Sequence, residues 1–319
     1  MEICIWNRQV SQVEPYMEAI ILKAVSFFFM IVLAYFLKCR GVLKTEDSRS
    51  LAKIVMNITL PATIMTSFNG FALEPSLLTI VLWGFLANVI MLSVGFLLSR
   101  KKTAGDRVFF MLNSPSYNIG NFTIPFAASF IGATGTVVAC LYDVGNAIMC
   151  LGLTIMLCSM VVSTTKQRLS IRSMVTTLLR IPSFVAYVSM MLLSAFSVQL
   201  PNVVYTIAAN IAPANGVIAM FMIGTMLEVN LDKRMFKEAG AVIAARVMMA
   251  TALTLIFYCL APYPYEIRKG LALVCWSPIS SASAAYTQEL GGNASLASFT
   301  SSVTVLVSML VIPTLAILL

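Results

Sequence analysis

Runs of about 20 apolar residues, each the length of one bilayer crossing, follow one another along most of this chain and leave only short loops between them. Such runs fold as transmembrane helices, because a helix satisfies every backbone polar group within its own segment. Hydrophobic residues make up 59% of the chain and charged residues 11%, where a soluble domain is nearer half apolar and a quarter charged. The chain therefore reads as an all-α polytopic membrane protein with the lipid bilayer as its solvent and almost no soluble part.

Ten helices are expected, near residues 17–37, 51–69, 76–99, 107–131, 136–163, 174–197, 202–228, 240–261, 267–289 and 294–318. They are called spans one to ten below. The formal net charge of +8 comes from bases in alternate short loops, not from a nucleic-acid-binding surface. Loop one–two carries Lys38, Arg40, Lys44 and Arg49, and loop three–four carries Arg100, Lys101, Lys102 and Arg107. Loop five–six carries Lys166, Arg168 and Arg172, and loop seven–eight carries Lys233, Arg234 and Lys237. The opposite loops hold little beyond Arg268 and Lys269. Basic loops stay in the cytoplasm, so both termini are expected outside the cytoplasmic membrane. Lys23, Arg180 and Arg246 fall inside spans but near helix ends, and are expected to snorkel to the interface. Residues 1–16 form a polar N-terminal extension, and Met17 is a possible alternative start.

The chain has no histidine. This excludes Ser-His hydrolysis, HExxH metalloprotease chemistry and histidine metal sites. The seven cysteines form no CxxC pair and read as small buried hydrophobes, so no metal and no cofactor is expected. No GxxxxGK[ST] pattern is present, so ATP-driven transport has no support either.

Two spans are interrupted. Span four contains "NSPSYNIGNFTIPF", Asn113 to Phe126, and span nine contains "WSPISSASAAY", Trp276 to Tyr286. Proline removes a helix donor and glycine weakens the helix further. Breaks are therefore expected around 114–121 and 277–283, with Pro115, Pro125 and Pro278 as the helix-breaking residues. The second span of each half carries a related signal, "NITLPATIMTSF" from Asn57 and "NIAPANGVIAMF" from Asn210. The halves then read as inverted five-helix repeats, residues 17–163 and 174–319, joined by a cytoplasmic linker, 164–173. This is a recurring architecture of secondary transporters.

A broken helix exposes a new N-terminus with free N–H groups and the positive end of a dipole. Two such ends meeting at the membrane midplane suit an anion. Asn118, Gly120, Asn121 and Thr123 are expected on one side of such a substrate site and Pro278, Ser280, Ser281 and Ser283 on the other, with Asn57 nearby. Simple packing kinks are the competing explanation for either break alone. Asp143 in span five is the acid furthest inside any span. It is a candidate for proton or sodium coupling, for holding the crossover together with Asn146, or for an acid that caps polar backbone or faces a water-filled vestibule.

On these residues the chain resembles the auxin efflux carrier family, in its bacterial form. The span-two pattern N-x-x-L-P is Asn57 to Pro61, and "NIGNFTIP", Asn118 to Pro125, stands at the span-four motif. Pro278, Glu289 and Pro313 also fit. The chain departs from the family at Asn121 and Thr123, where the motif has Phe and Gly, and at Tyr117, where plant members have proline. The resemblance implies the fold of sodium/proton antiporters and bile-acid symporters, with spans four and nine crossing, and elevator-type alternating access. It also implies small organic anions as substrates, among them auxin and dicarboxylates such as malonate and malate, and Asn118 as the central binding residue. A homodimer is a candidate assembly, and a passive pore is the alternative to a carrier.

Overall fold

The computed structural model describes residues 2–162, 171–227 and 235–319, with side chains from residue 17 onward. The side chains of the expected extension 1–16, most of the expected linker and Lys166, Arg168, Lys233 and Arg234 lie outside the described residues.

Regular structure among the described residues is helical, apart from a single antiparallel bridge between Tyr117 and Ile279. Seven helices are each long and apolar enough to cross a membrane: Met17–Cys39, Asp47–Phe68, Pro75–Ser99, Ala133–Val162, Asn202–Met226, Phe236–Leu260 and Ala294–Leu318. The pair Ile171–Leu179 and Pro182–Ala195, bent by 86°, makes an eighth span if counted as one. Ile181, between its two arms, is extended, as the residue before a proline tends to be.

Spans four and nine fall short of that length because both are split. Span four runs from Ala104 to Asn113, loses its helix, and resumes as a π-turn, Ile119–Thr123, continuous with Ile124–Phe130. Span nine runs from Tyr265 to Val274, breaks, and resumes at Ala282–Glu289. Each leading half has 10 residues, about 15 Å of helix against a hydrocarbon core of about 30 Å.

The helices pack as two groups. Span one lies on span seven, and span two on spans six and seven. Spans three, four and five pack together, span five also lies on span nine, and span ten packs on spans eight and nine. Spans two and six meet span five across the boundary between the groups. Side chains such as Phe29, Leu82, Leu260 and Leu310 are exposed on the outside of the bundle, as a lipid-facing surface requires.

Spans three and five approach unusually closely. A Cβ on Gly84 would run into the Tyr142 carbonyl, and one on Gly145 into that of Val81. Small residues permit this backbone approach. It brings Asn88, one turn beyond Gly84, against Asn146, the neighbour of Gly145: the Asn88 Nδ2 donates to Asn146 Oδ1 at 3.1 Å.

Candidate functional site

The breaks in spans four and nine meet and satisfy each other's backbone. The Asn118 N–H donates to the Pro278 carbonyl at 2.8 Å, and the Ser280 N–H to the Ser116 carbonyl at 3.1 Å. Unwound backbone in hydrocarbon costs several kcal/mol per unpaired group. Pairing the two breaks removes part of that cost, and side chains from neighbouring spans remove more.

On the span-four side the partners are amides. Asn88 Oδ1 accepts from the Ser116 N–H at 2.8 Å. Asn146 Oδ1 accepts from the Tyr117 N–H at 3.1 Å, and its Nδ2 donates to the Tyr117 carbonyl at 2.9 Å. Ser116 has a φ of 69°, in the left-handed region that is uncommon for any residue but glycine. Its N–H and carbonyl are both held. On the span-nine side the partners are hydroxyls of span ten. The Ile279 N–H donates to Thr304 Oγ1 at 3.1 Å, Ser301 Oγ donates to the Ile279 carbonyl at 3.3 Å, and Ser308 Oγ donates to the Trp276 carbonyl at 2.6 Å.

One residue serves both breaks. Arg246 of span eight is 7% exposed. Its Nη1 donates to the carbonyls of Ser114 at 2.7 Å and Pro115 at 3.0 Å, and its Nη2 to that of Ser277 at 2.8 Å. Its guanidinium carbon lies 4.5 Å from the centre of the Tyr117 ring. These carbonyls belong to the C-terminal ends of the two leading half-helices, where partial negative charge collects. The expectation that Arg246 snorkels to the interface is therefore corrected. The fork of a guanidinium reaches two carbonyl clusters at once, and those clusters lie inside the bundle. Lys23 donates to the Ser129 carbonyl at 3.0 Å, while Arg180 is exposed, as a snorkelling side chain would be.

A cavity of about 280 Å³ opens against the crossing. Asn118, Gly120 and Asn121 of span four and Ser280 and Ser281 of span nine line one side. Asp143, Asn146 and Cys150 of span five, Met56 and Leu60 of span two, and Phe184 and Tyr187 of span six complete it. The cavity thus lies between the two helix groups. Its size approaches that of a small-molecule pocket. Asp143 is 8% exposed and accepts from Asn146 Nδ2 at 2.8 Å. The same Asn146 that holds the unwound strand therefore holds the acid. A smaller cavity on the other side of the crossing shares Asn118 and Ser281 with the first and is lined by Ser298, Ser301 and Ser302.

Most of the predicted site residues come together at this cavity. Four do not line it: Asn57, Thr123, Pro278 and Ser283. Asn57 is exposed; it lies in a π-turn, Val55–Thr59, which presents Met56 and Leu60 to the cavity instead. Thr123 is fully buried and bonds the Ser277 hydroxyl at 2.6 Å. Ser283 is buried in the first turn of the resumed helix. Pro115, Pro125 and Pro278 are buried at the breaks. Asn88, Asn146, Tyr187 and Arg246 were not among the predicted site residues. Of these, Arg246 carried a sequence signal, a base within a span, and Asn146 carried one as a support of the crossover beside Asp143.

Paired mid-helix breaks with a cavity at their crossing, inside an apolar helical bundle, define a polytopic membrane transporter. The chain belongs to the membrane transport protein family of auxin efflux carriers, whose model matches residues 19–317. This family comprises transport proteins, not enzymes. An uncharacterized transporter of Methanothermobacter thermautotrophicus is 27% identical over 136 residues, 41% of this chain and 45% of that protein. The chain therefore spans about half the length of this relative.

Proposed function

We propose that this chain is a secondary carrier moving small organic anions, carboxylates or auxin-like acids, across the cytoplasmic membrane. The observation that carries the reading is the cavity against the paired breaks of spans four and nine, at the boundary between two helix groups. Spans three, four, five, eight, nine and ten would move as one body against spans one, two, six and seven. That is an elevator form of alternating access, with residues 17–163 and 174–319 as inverted repeats and both termini outside. A homodimer would give the static group a fixed frame. The anion would meet the first-turn amides of the two resumed half-helices, beside Asn118, Asn121, Ser280 and Ser281.

The charge of Asp143 in the same wall has to be offset when an anion arrives. A proton, a sodium ion or a positive group on the substrate can do this. Without a coupling ion, a membrane potential of about 100 mV supplies roughly 2.3 kcal/mol per charge moved, enough to drive export of an anion.

The test is counterflow. Proteoliposomes loaded with an unlabelled carboxylate should transiently accumulate the labelled compound above equilibrium, for at least one member of a panel of small carboxylates with and without amino groups. Asn118→Ala should abolish that overshoot. Equilibration without overshoot would instead identify a passive pore.

A further inference from the structure

The cavity wall carries an acid and no base: Asp143 lines the cavity, whereas no lysine or arginine does. The nearby cation, Arg246, is engaged by backbone carbonyls behind Tyr117. A substrate bearing only negative charge would face a carboxylate with nothing to balance it.

Beside Asp143 are two polar atoms without well-formed partners. Tyr187 is 3% exposed, and its hydroxyl faces the Asp143 carboxylate without a hydrogen bond of good geometry. The Tyr187 hydroxyl and Asp143 Oδ2 converge over Gly120: a Cβ built there would be 3.1 Å from the first and 3.4 Å from the second. The next residue, Asn121, has a buried amide oxygen that no donor reaches. The carboxylate and the phenol oxygen that converge over Gly120 match a group that carries several donors and a positive charge. An ammonium is such a group.

The other wall has the opposite character. The Ser280–Ala282 segment brings the start of the resumed span-nine helix and its serine hydroxyls to the cavity beside Asn118, and these suit a carboxylate. Met56, Leu60, Leu151 and Phe184 line the rest and suit an aliphatic or aromatic body.

We propose that the substrate is a small zwitterion of the amino-acid type, with its carboxylate at the helix crossing and its ammonium at Asp143 and Tyr187. The proposal rests on the carrier reading above and names its substrate class.

The experiment compares three ligands with one skeleton on the purified full-length protein, by thermal unfolding and by counterflow. They are leucine, 4-methylpentanoate (no amino group) and 3-methylbutylamine (no carboxylate), with alanine and phenylalanine testing size. A site built to bond a polar group rejects the analogue that lacks it, so leucine should stabilise the protein at concentrations at least about tenfold below either truncated analogue. Asp143→Asn should weaken leucine by about tenfold or more and tighten 4-methylpentanoate, which no longer faces a carboxylate. The proposal is overturned if 4-methylpentanoate matches leucine, or if Asp143→Asn weakens both alike. If carboxylates without an amino group give counterflow and amino acids do not, the carrier reading stands and the zwitterion falls. If neither kind gives counterflow, both fall.

Discussion

The breaks in spans four and nine begin alike but are held by different chemistry. Each begins at a Ser-Pro pair, each leaves a carbonyl end for Arg246, and each pairs with the other through the Tyr117–Ile279 bridge. Around span four the unwound groups are met by Asn88 and Asn146. Around span nine they are met by Ser301, Thr304 and Ser308. An amide side chain donates and accepts from separate atoms, whereas a hydroxyl does both through one. Asn146 can therefore hold both polar groups of Tyr117 and still take part in binding Asp143. The span-nine partners include no acid. The Ser-Pro start and the Arg246 contact are thus common to the two breaks, while the acid of the cavity comes from the span-four side.

Substitutions at four positions probe this difference. The largest effect should come from Arg246→Ala, which removes the group common to both breaks. It leaves the carbonyls of Ser114, Pro115 and Ser277 unpaired, and at about 1–3 kcal/mol for each stranded buried group should cost about 3–5 kcal/mol. Unfolding in mixed detergent micelles measures it. Arg246→Lys should recover only part, because an ammonium lacks the fork that spans the two clusters.

Asn146→Ala should come next, at about 2–3 kcal/mol, since it strands the N–H and carbonyl of Tyr117 together. Transport should fall with it, because Asp143 loses its partner. Thr304→Val strands the Ile279 N–H alone and should cost about 1–2 kcal/mol. If Thr304→Val proves as costly as Asn146→Ala, the asymmetry between the breaks is not energetic. The smallest effect on folding belongs to Asp143→Asn, within about 1 kcal/mol, because the new side chain still accepts from Asn146. Its effect should lie in ligand binding, which separates the acid's role from that of its neighbour.

Much of this arrangement was legible in the sequence. Pro115, Pro278 and the surrounding Ser and Asn residues mark the breaks, since few helices survive such clusters in a membrane. Asn118, Asn121, Ser280 and Ser281 follow from the same stretches and do line the cavity. The partners of the breaks were less legible. Asn88 sits in an otherwise ordinary apolar helix, and nothing local shows that the close approach at Gly84 and Gly145 aims it at Ser116. Arg246 gave a signal that pointed the wrong way: a base within a span suggests snorkelling until the carbonyl ends of two distant helices are placed beside it. Asn57 failed for a different reason. Its motif is recognisable, but the π-turn at Val55–Thr59 shifts which side chains face inward, and one-dimensional spacing does not register that shift.

The central claim is that the crossing of spans four and nine is the place where substrate binds. Gly120→Ala tests it with a single methyl group. That methyl would stand 3.1 Å from the Tyr187 hydroxyl and 3.2 Å from Leu60 Cδ2, tight contacts that small side-chain shifts can relieve. The variant should fold, with an unfolding midpoint close to that of the wild type, while counterflow in proteoliposomes falls by about tenfold or more because the cavity floor is occupied. A well-folded Gly120→Ala protein with wild-type counterflow would contradict the claim and move the transport path away from the crossing.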